Sequence, residues 1–331
     1  MIGVAQEGAS VSITGLGCQV PERVVRNDEL SQYVETSDEW IQERTGIKER
    51  RIAAESEALS DVALPAARAA LAQAGLEGSD IDLLIVATVT PDMAFPSTGA
   101  ILADRLGAVD AAAYDLSSGC TGFMYAIAQA YGMLAAGLAT RALVVGGDLL
   151  SRILDWSDRS TLVLFGDGAG AVVLEATPGG GFLGFELGAD GAGGMHLWLP
   201  GSGSRIFEDA DAHVKMNGRE VFKFATRVLV RSAQDVLARC GATIDDVDVY
   251  IPHQANVRII EHATKKLGIP SERVVINVDR YGNTSSGSIP LALADAEADG
   301  RLRPGKLVLM TGMGAGLSWG SALIRWTKEA A

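Results

Sequence analysis

Two stretches of this chain, separated by about half of its 331 residues, repeat one another. Residues 70–87 (ALAQAGLEGSDIDLLIVA) align without a gap with residues 236–253 (VLARCGATIDDVDVYIPH), so that Gly75 falls on Gly241 at an offset of 166. Each stretch predicts a helix that stops at a glycine, an acidic turn and then a strand with β-branched residues. The repeat therefore favours a fold built from two similar α/β units.

A second pair of stretches supports the duplication. Residues 105–120 resemble residues 266–283 at an offset of 161, and when two extra residues are allowed Cys120 falls on Asn283. We therefore expect a tandem duplication in which Cys120 and Asn283 occupy equivalent places beside a pseudo-twofold axis.

Strand and helix signals follow one another in the same order in both parts of the chain. The predicted strands are 11–18, 83–89, 111–116, 141–148 and 170–175, then 181–187, 247–253, 273–278, 306–312 and 321–326. The glycine-rich run 176–182 is the one shift in composition that is typical of a junction. We predict an α/β fold with two pseudo-symmetric halves, residues 1–178 and 179–331, whose sheets are packed with helices.

The composition argues against several classes of protein. A net charge of −13 repels phosphate backbones and disfavours nucleic-acid binding. Cys18, Cys120 and Cys240 lie far apart without a CxxC pair, which fits a reducing compartment without disulfides or zinc. The N-terminus has no signal-peptide pattern, and the Ser, Thr, Gly and Ala residues in the uncharged run 116–140 suit a core helix better than a membrane span. We expect a cytoplasmic protein that does not contact membranes.

The glycine and histidine patterns predict neither a nucleotide cofactor nor a metal. No GxxxxGK[ST] phosphate loop occurs, and the glycines of residues 165–171 (FGDGAGA) do not follow the GxGxxG pattern. The four histidines are not spaced as metal ligands.

Cys120 is the first candidate catalytic residue. It stands in DLSSGCTGF, where a predicted strand ends and a long uncharged helix begins. The free N–H groups of a first helical turn and the helix dipole favour a thiolate, so this placement predicts an attacking sulfur. The alternative is that Cys120 is a small buried hydrophobic residue.

His253 and Asn283 are the candidate partners of that sulfur. His253 (YIPHQAN) follows a short strand, and Asn283 (DRYGNTSSG) lies in a glycine-flanked turn. Both fall at carboxyl ends of strands, where α/β sheets usually place chemistry, so we expect all three side chains to meet in one pocket. Taken singly, a hydrogen-bonding histidine and a turn asparagine are the structural alternatives. The run 312–320 (GMGAGLSWG) offers backbone N–H groups for an oxyanion hole, or simply a tight turn.

These residues and further motifs resemble the β-ketoacyl-acyl carrier protein synthase III enzymes of fatty-acid synthesis, a family of the thiolase-like superfamily. The motifs cover nearly the whole chain: TSDEWIQERTGIKERRI, AFPS, the Cys120 segment, DRSTLVLFGDGAGA, NGREVFKF, PHQANVRII, DRYGNTSSGSIPLAL and GAGLSWGSAL. The resemblance implies a thiolase-like fold, a layered αβαβα body, and a triad of Cys120, His253 and Asn283. Elongating relatives carry a second histidine in the triad and thiolases a second catalytic cysteine, and this chain has neither.

The resemblance also implies a reaction. An acyl-coenzyme A, most simply acetyl, acylates Cys120 and releases coenzyme A, which is a product and not a cofactor. Malonyl-acyl carrier protein then loses CO2 while His253 and Asn283 hold its thioester oxygen, and the carbanion attacks the acyl group. The backbone N–H groups of Cys120 and Ala315 hold the second oxyanion, and relatives often have glycine where Ala315 stands.

Matching residue by residue implies three further sets of site residues. Coenzyme A contacts Trp40, Arg44, Arg159, Phe222 and Asn256; the acyl pocket contains Phe95, Leu150 and Phe165, with Phe95 supplied by a dimer partner; and acyl carrier protein docks on Lys223 and Arg258. Trp40 has a structural alternative, because Thr36-x-x-Glu39 matches a capping box and Trp40 then packs a first helical turn.

A basic stripe suits the small acidic carrier protein. Lys223, Arg227 and Arg231 recur every four residues and share one helical face, which Arg258 can extend. Without a partner, such a stripe is simply a solvated helix face.

Two alternatives stay open at this point. The chain could be a specialised relative that uses a different acyl-coenzyme A for a secondary metabolite, or a non-catalytic subunit that only supports a dimer. The presence of all three triad residues disfavours the second alternative. The expected partners are acyl-coenzyme A, malonyl-acyl carrier protein and a second copy of the chain in a homodimer.

Overall fold

The chain folds into a mixture of strands and helices. Its structure is a computed structural model that describes residues 10–177, 179–201, 203–207 and 211–329. The strands are β1 (Val11–Gln19), β2 (Arg23–Arg26), β3 (Glu49–Ile52), β4 (Leu83–Ala87), β5 (Ala112–Leu116), β6 (Arg141–Leu149), β7 (Asp167–Ala176), β8 (Gly181–Ala189), β9 (Leu197–Trp198), β10 (Lys215–Met216), β11 (Val249–Pro252), β12 (Leu307–Gly314) and β13 (Ser318–Arg325). The helices are α1 (Asn27–Leu30), α2 (Asp38–Thr45), α3 (Leu59–Ala74), α4 (Thr98–Leu106), α5 (Gly122–Ala135), α6 (Arg159–Leu162), α7 (Gly218–Arg239), α8 (Val257–Leu267), α9 (Val278–Tyr281) and α10 (Ser288–Ala298). Among these described helices, none is both long and apolar enough to cross a membrane.

Two sheets with the same strand order form the framework. The first runs β1-β7-β6-β4-β5 and the second β8-β13-β12-β11. In the first sheet β4 is parallel to β6, and in the second β11 is parallel to β12. The equivalent strands β4 and β11 begin at Leu83 and Val249, and β6 and β12 at Arg141 and Leu307. Both pairs are offset by 166 residues, so the predicted duplication is confirmed.

One predicted strand is wrong. Residues 273–278 form no ladder beside β11; a single bridge joins Tyr250 to Val274, at the place that β5 occupies in the first sheet. The side chain of Gln254 explains the difference, because its Oε1 accepts the N–H of Asn277 at 2.9 Å and its Nε2 donates to the carbonyl of Val275 at 3.0 Å. These contacts replace the hydrogen bonds that a strand would need.

The two sheets and their helices form five layers. Helices α3 and α4 pack on the outer face of the first sheet, α5 and α10 lie between the two sheets, and α7 and α8 cover the second sheet. All five residues of β4 (LLIVA) are buried because helices cover both faces of the strand. The predicted αβαβα arrangement is therefore confirmed, and α5 and α10 meet at its centre.

The internal symmetry relates Cys120 to a residue other than Asn283, its predicted equivalent. A short 3₁₀ turn at 119–121 precedes α5, and another at 285–287 precedes α10. The offset of 166 therefore pairs Cys120 with Ser286, and the expected equivalence with Asn283 is wrong by three residues. The same offset pairs Gly314, which packs against Cys120, with Asp148, whose carboxylate accepts the N–H and hydroxyl of Ser286 at 3.2 and 2.9 Å.

Candidate active site

Cys120 lies in the 3₁₀ turn at 119–121, directly before α5. The helix is shorter than the uncharged run 116–140 predicts. The end of β12 passes so close to the turn that a Cβ at Gly314 would stand 2.7 Å from the Cys120 nitrogen. Glycine at 314 thus lets the strand touch the turn of Cys120, and Cys120 is only 8% exposed.

The helix start was expected to favour a thiolate at Cys120, but burial has the opposite effect. Burial raises the pKa of the Cys120 thiol to about 11, because the charged form loses its hydration, while the hydroxyl of Ser285 lowers this pKa by a smaller amount. Burial thus favours the protonated thiol over the thiolate at neutral pH.

His253 follows β11, and its backbone N–H donates to the carbonyl of Thr311 at 2.7 Å. The ring is 1% exposed, and Nδ1 lies 2.9 Å from Ser288 Oγ. Nε2 is buried and has no hydrogen-bond partner within the described part of the chain. Burial lowers the pKa of His253 to about 4, so the imidazole is neutral at pH 7 and one of its nitrogens remains available.

Asn283 is held by the other half of the molecule. Its N–H donates to the carbonyl of Leu164 at 2.9 Å, and its carbonyl accepts the N–H of Gly166 at 3.0 Å. The side-chain Oδ1 accepts the N–H of Ser285 at 2.9 Å. Because this contact occupies the amide oxygen, the NH2 group of Asn283 is left for other partners.

Cys120, His253 and Asn283 meet, as predicted, around a single cavity. The cavity has a volume of about 170 Å³ and is also lined by Phe222 and Asn256. A second, larger cavity of about 470 Å³ reaches Cys120 from another side. Cys120 therefore lines both cavities, and it shares the smaller one with a neutral imidazole and an amide.

The larger cavity contains most of the residues expected for an acyl pocket. Leu150 and Phe165 line it, each nearly buried, and so does Ala315 of the predicted oxyanion hole. Ala315 also packs against the turn of the nucleophile, because a Cβ at Gly119 would lie 3.1 Å from the Ala315 nitrogen. Phe95 is different, since it is 85% exposed on the surface of this chain and does not line its cavity.

The three residues expected at the adenine end of coenzyme A cluster at the surface. The Arg159 guanidinium lies 4.9 Å from the centre of the Trp40 ring and that of Arg44 lies 5.9 Å away. The predicted cap is wrong by one residue, because Ser37 caps α2 and accepts the N–H of Trp40 at 3.2 Å. An adenine ring inserted between Trp40 and Arg159 requires the arginine to swing away.

Asn256 connects this cluster to the smaller cavity. It caps α8, and its Nδ2 donates to the carbonyl of Arg44 at 3.0 Å. The guanidinium of Arg258 lies 5.8 Å from the Phe222 ring at the same entrance. Lys223 is exposed on α7, with Glu220 at 3.6 Å. Asn256 thus links the cluster of Trp40, Arg44 and Arg159 to the cavity of the triad.

The serines that hold the triad were not predicted from the sequence. Ser285 donates its N–H to Asn283 and lowers the pKa of Cys120 through its hydroxyl, and Ser288 contacts His253. The serine-rich run TSSGS after Asn283 was the available signal. Ser285 also adopts a φ of +53°, which is uncommon for a residue with a side chain.

Comparisons with known proteins agree with this architecture. The family 3-oxoacyl-[acyl-carrier-protein (ACP)] synthase III matches residues 114–191, and its C-terminal part matches 237–326. The β-ketoacyl-[acyl-carrier-protein] synthase III of Symbiobacterium thermophilum is 53% identical, covering 96% of this chain and 98% of that protein. The crystal structure of the enzyme of that name from Thermus thermophilus has a TM-score of 0.91 and 48% identity, over 97% of this chain and 100% of that one.

A further solved structure comes from polyketide synthesis. The priming β-ketosynthase of the R1128 polyketide pathway has a TM-score of 0.91 and 35% identity, over 97% of both chains. Fold, site and matches together define a condensing enzyme of the thiolase-like superfamily. More narrowly, the chain belongs to the β-ketoacyl-[acyl-carrier-protein] synthase III family.

Proposed function

We propose that this enzyme carries out the first condensation of fatty-acid synthesis, joining the acyl group of an acyl-coenzyme A to malonyl-acyl carrier protein. One observation carries the proposal: His253 lines the same cavity as Cys120 and Asn283, is buried and neutral, and has no partner for its Nε2 among the described residues. Two neutral hydrogen-bond donors beside a thiol suit a reaction in which negative charge develops on a thioester oxygen.

In the first step the sulfur of Cys120 attacks the thioester carbon of acyl-coenzyme A. The new S–C bond forms as the bond to the coenzyme A sulfur breaks, and the thiol proton ends on that sulfur. The backbone N–H groups of Cys120 and Ala315 hold the carbonyl oxygen while it carries charge. The acyl chain then lies in the larger cavity, beside Leu150 and Phe165.

In the second step malonyl-acyl carrier protein replaces coenzyme A in the smaller cavity. Loss of CO2 leaves an electron pair on the adjacent carbon and charge on the thioester oxygen, which accepts hydrogen bonds from His253 Nε2 and the NH2 group of Asn283. The carbanion attacks the acyl carbon, and the sulfur of Cys120 leaves and takes up a proton from solvent. No metal or nucleotide cofactor takes part in these steps.

We further propose how the substrates and partners bind. Trp40, Arg44 and Arg159 hold the adenosine end of coenzyme A, and its pantetheine arm passes Phe222 and Asn256 to reach Cys120. Lys223 and Arg258 attract the acidic carrier protein. The exposed Phe95 enters the acyl pocket of a second copy in a homodimer, which fits an 85% exposed phenylalanine.

The free cysteines suit a cytoplasmic enzyme. Cys18, Cys120 and Cys240 are free cysteines, which supports a reducing compartment. Cell fractionation followed by immunoblotting tests this location, and recovery of the protein from an oxidising compartment would contradict it.

Separate assays of the two half-reactions test the mechanism. Intact-protein mass spectrometry follows acylation of Cys120, and release of CO2 from labelled malonyl-carrier follows decarboxylation. We expect His253→Ala and Asn283→Ala to slow decarboxylation about 100-fold or more while acylation changes only a few-fold. Cys120→Ala should abolish acylation. Equal loss of both half-reactions in His253→Ala and Asn283→Ala would refute the roles of these two residues.

The similarity to the R1128 priming ketosynthase favours one alternative, a condensing enzyme of secondary metabolism. A panel of acyl-coenzyme A thioesters distinguishes the two, since the mass added to Cys120 identifies the primer. Arg258→Glu is expected to weaken use of carrier-bound malonyl while sparing acylation, and added salt should have the same effect on the native enzyme. Unchanged kinetics with the carrier would remove Arg258 from the docking surface.

A further inference from the structure

Ser288 is a buried residue that touches the imidazole of His253 from behind. It is the first residue of α10 and is 1% exposed. Its Oγ accepts the backbone N–H of Gln254 at 2.7 Å and lies 2.9 Å from His253 Nδ1. The Ser288 hydroxyl thus connects the start of α10 to His253 and Gln254, the two residues that follow β11.

Counting hydrogens shows which atom donates to which. The Ser288 hydroxyl has one hydrogen, and its oxygen already accepts the N–H of Gln254. Within the described residues, Nδ1 of His253 is the one acceptor that this hydrogen can reach. If Nδ1 carried the imidazole proton, the hydroxyl hydrogen would be buried without an acceptor, which is unfavourable.

We propose that Ser288 is a positioning residue, which donates its hydroxyl hydrogen to His253 Nδ1 and thereby fixes the imidazole proton on Nε2. His253 lines the cavity shared by Cys120 and Asn283, and its Nε2 has no partner among the described residues. Ser288 therefore makes His253 a hydrogen-bond donor toward the substrate. The effect of Ser288 on catalysis rests on the proposed function, whereas the hydrogen bonds of Ser288 do not depend on it.

A neighbouring contact fixes the second donor in a parallel way. The N–H of Ser285 donates to Oδ1 of Asn283 at 2.9 Å, which turns the NH2 group of Asn283 away from that contact. Both neutral donors thus owe their orientation to residues of the 283–288 segment. The imidazole, with its proton on Nε2, cannot take the thiol proton of Cys120 at that nitrogen.

The tautomer can be measured in the native enzyme by NMR. The enzyme is labelled with ¹⁵N-histidine, and the His253 signals are assigned by comparison with His253→Ala. Between pH 6 and pH 8 we expect Nδ1 to have the ¹⁵N chemical shift of an unprotonated ring nitrogen. Nε2 should have the shift of a protonated one. A protonated Nδ1 with an unprotonated Nε2 would overturn the proposal. The spectrum does not depend on activity, so it distinguishes failure of this inference from failure of the proposed function.

Two substitutions add a kinetic test. Ser288→Ala removes the donor, and we expect decarboxylation of malonyl-carrier to fall by about ten- to a hundredfold while acylation of Cys120 changes less than about threefold. Ser288→Thr keeps the hydroxyl and should retain most of the activity. Equal loss in both half-reactions, with a native fold, would mean that Ser288 is only structural and would overturn the proposal.

Ser232→Ala is the matched control. Ser232 is a buried helical serine whose hydroxyl pairs with Ser321 Oγ at 2.6 Å, away from both cavities. It should lose stability without changing either half-reaction. If Ser288→Ala does not fold, the spectrum of the native enzyme still decides between the two tautomers.

Discussion

Gly314→Ala adds a single methyl group beside the nucleophile and tests the geometry of the site. The new Cβ would lie 2.7 Å from the Cys120 nitrogen and 2.9 Å from its Cβ, whereas ordinary contact begins near 3.4 Å. The turn must therefore retreat by roughly 0.7 Å. Such overpacking costs about 1–3 kcal/mol, and a displacement of about 1 Å can slow a reaction about 100-fold. We expect acylation of Cys120 to slow by about 30- to 100-fold.

Gly132→Ala is the control, because Gly132 lies on α5, the helix that follows the nucleophile, and a Cβ there meets nothing within 4 Å. Alanine should stabilise this exposed helical position by about 0.5–1 kcal/mol and leave the reaction unchanged. Time-resolved intact-mass measurements give the acylation rates, and urea unfolding gives the stabilities. If Gly314→Ala is folded and acylates within about threefold of the native rate, the close approach of β12 does not position the sulfur.

Three further predictions concern separate parts of the molecule. Because burial raises the pKa of Cys120 to about 11, alkylation of this residue should speed up about tenfold per pH unit between pH 7 and 10; peptide mass spectrometry would reveal a contradictory plateau near pH 8. Arg159→Ala should raise KM for acyl-coenzyme A about five- to tenfold with little change in kcat, and an unchanged KM would exclude the predicted contact between Arg159 and coenzyme A. Asp148→Asn should lower the free energy of unfolding by about 2–4 kcal/mol, since the carboxylate accepts hydrogen bonds from Thr88, Thr90 and Ser286; a loss below about 1 kcal/mol in urea unfolding would contradict this.

The framework of the fold could be predicted because its signals are local. A helix, a glycine stop and a β-branched run recur 166 residues apart, and β4 and β11 lie where this pattern predicts them. The prediction of a strand at 273–278 failed because a tertiary contact replaces the hydrogen bonds of a strand. Gln254, distant in sequence, binds the backbone of Val275 and Asn277, and no pattern within 273–278 reveals that contact.

The site was only partly predictable. Local motifs identified Cys120, His253 and Asn283, and the structure brings them to one cavity, while their catalytic roles stay predictions. The protonation of Cys120 was predicted wrongly because helix position can be inferred from sequence, whereas burial depends on the surrounding fold. Aligning Cys120 with Asn283 failed because a gap of two residues can be placed in several ways in so glycine-rich a segment.

The duplication gave this chain two matching 3₁₀ turns, one with Cys120 and the other with Ser286. At the second turn the carboxylate of Asp148 accepts two hydrogen bonds from Ser286. A sulfur placed there would face a negative charge that disfavours its ionisation. Ser286→Cys should therefore not create a second reaction centre. The turn of Ser286 instead anchors the segment that carries Asn283 and Ser288 to the cavity of Cys120. The candidate site therefore uses residues of both halves of the chain.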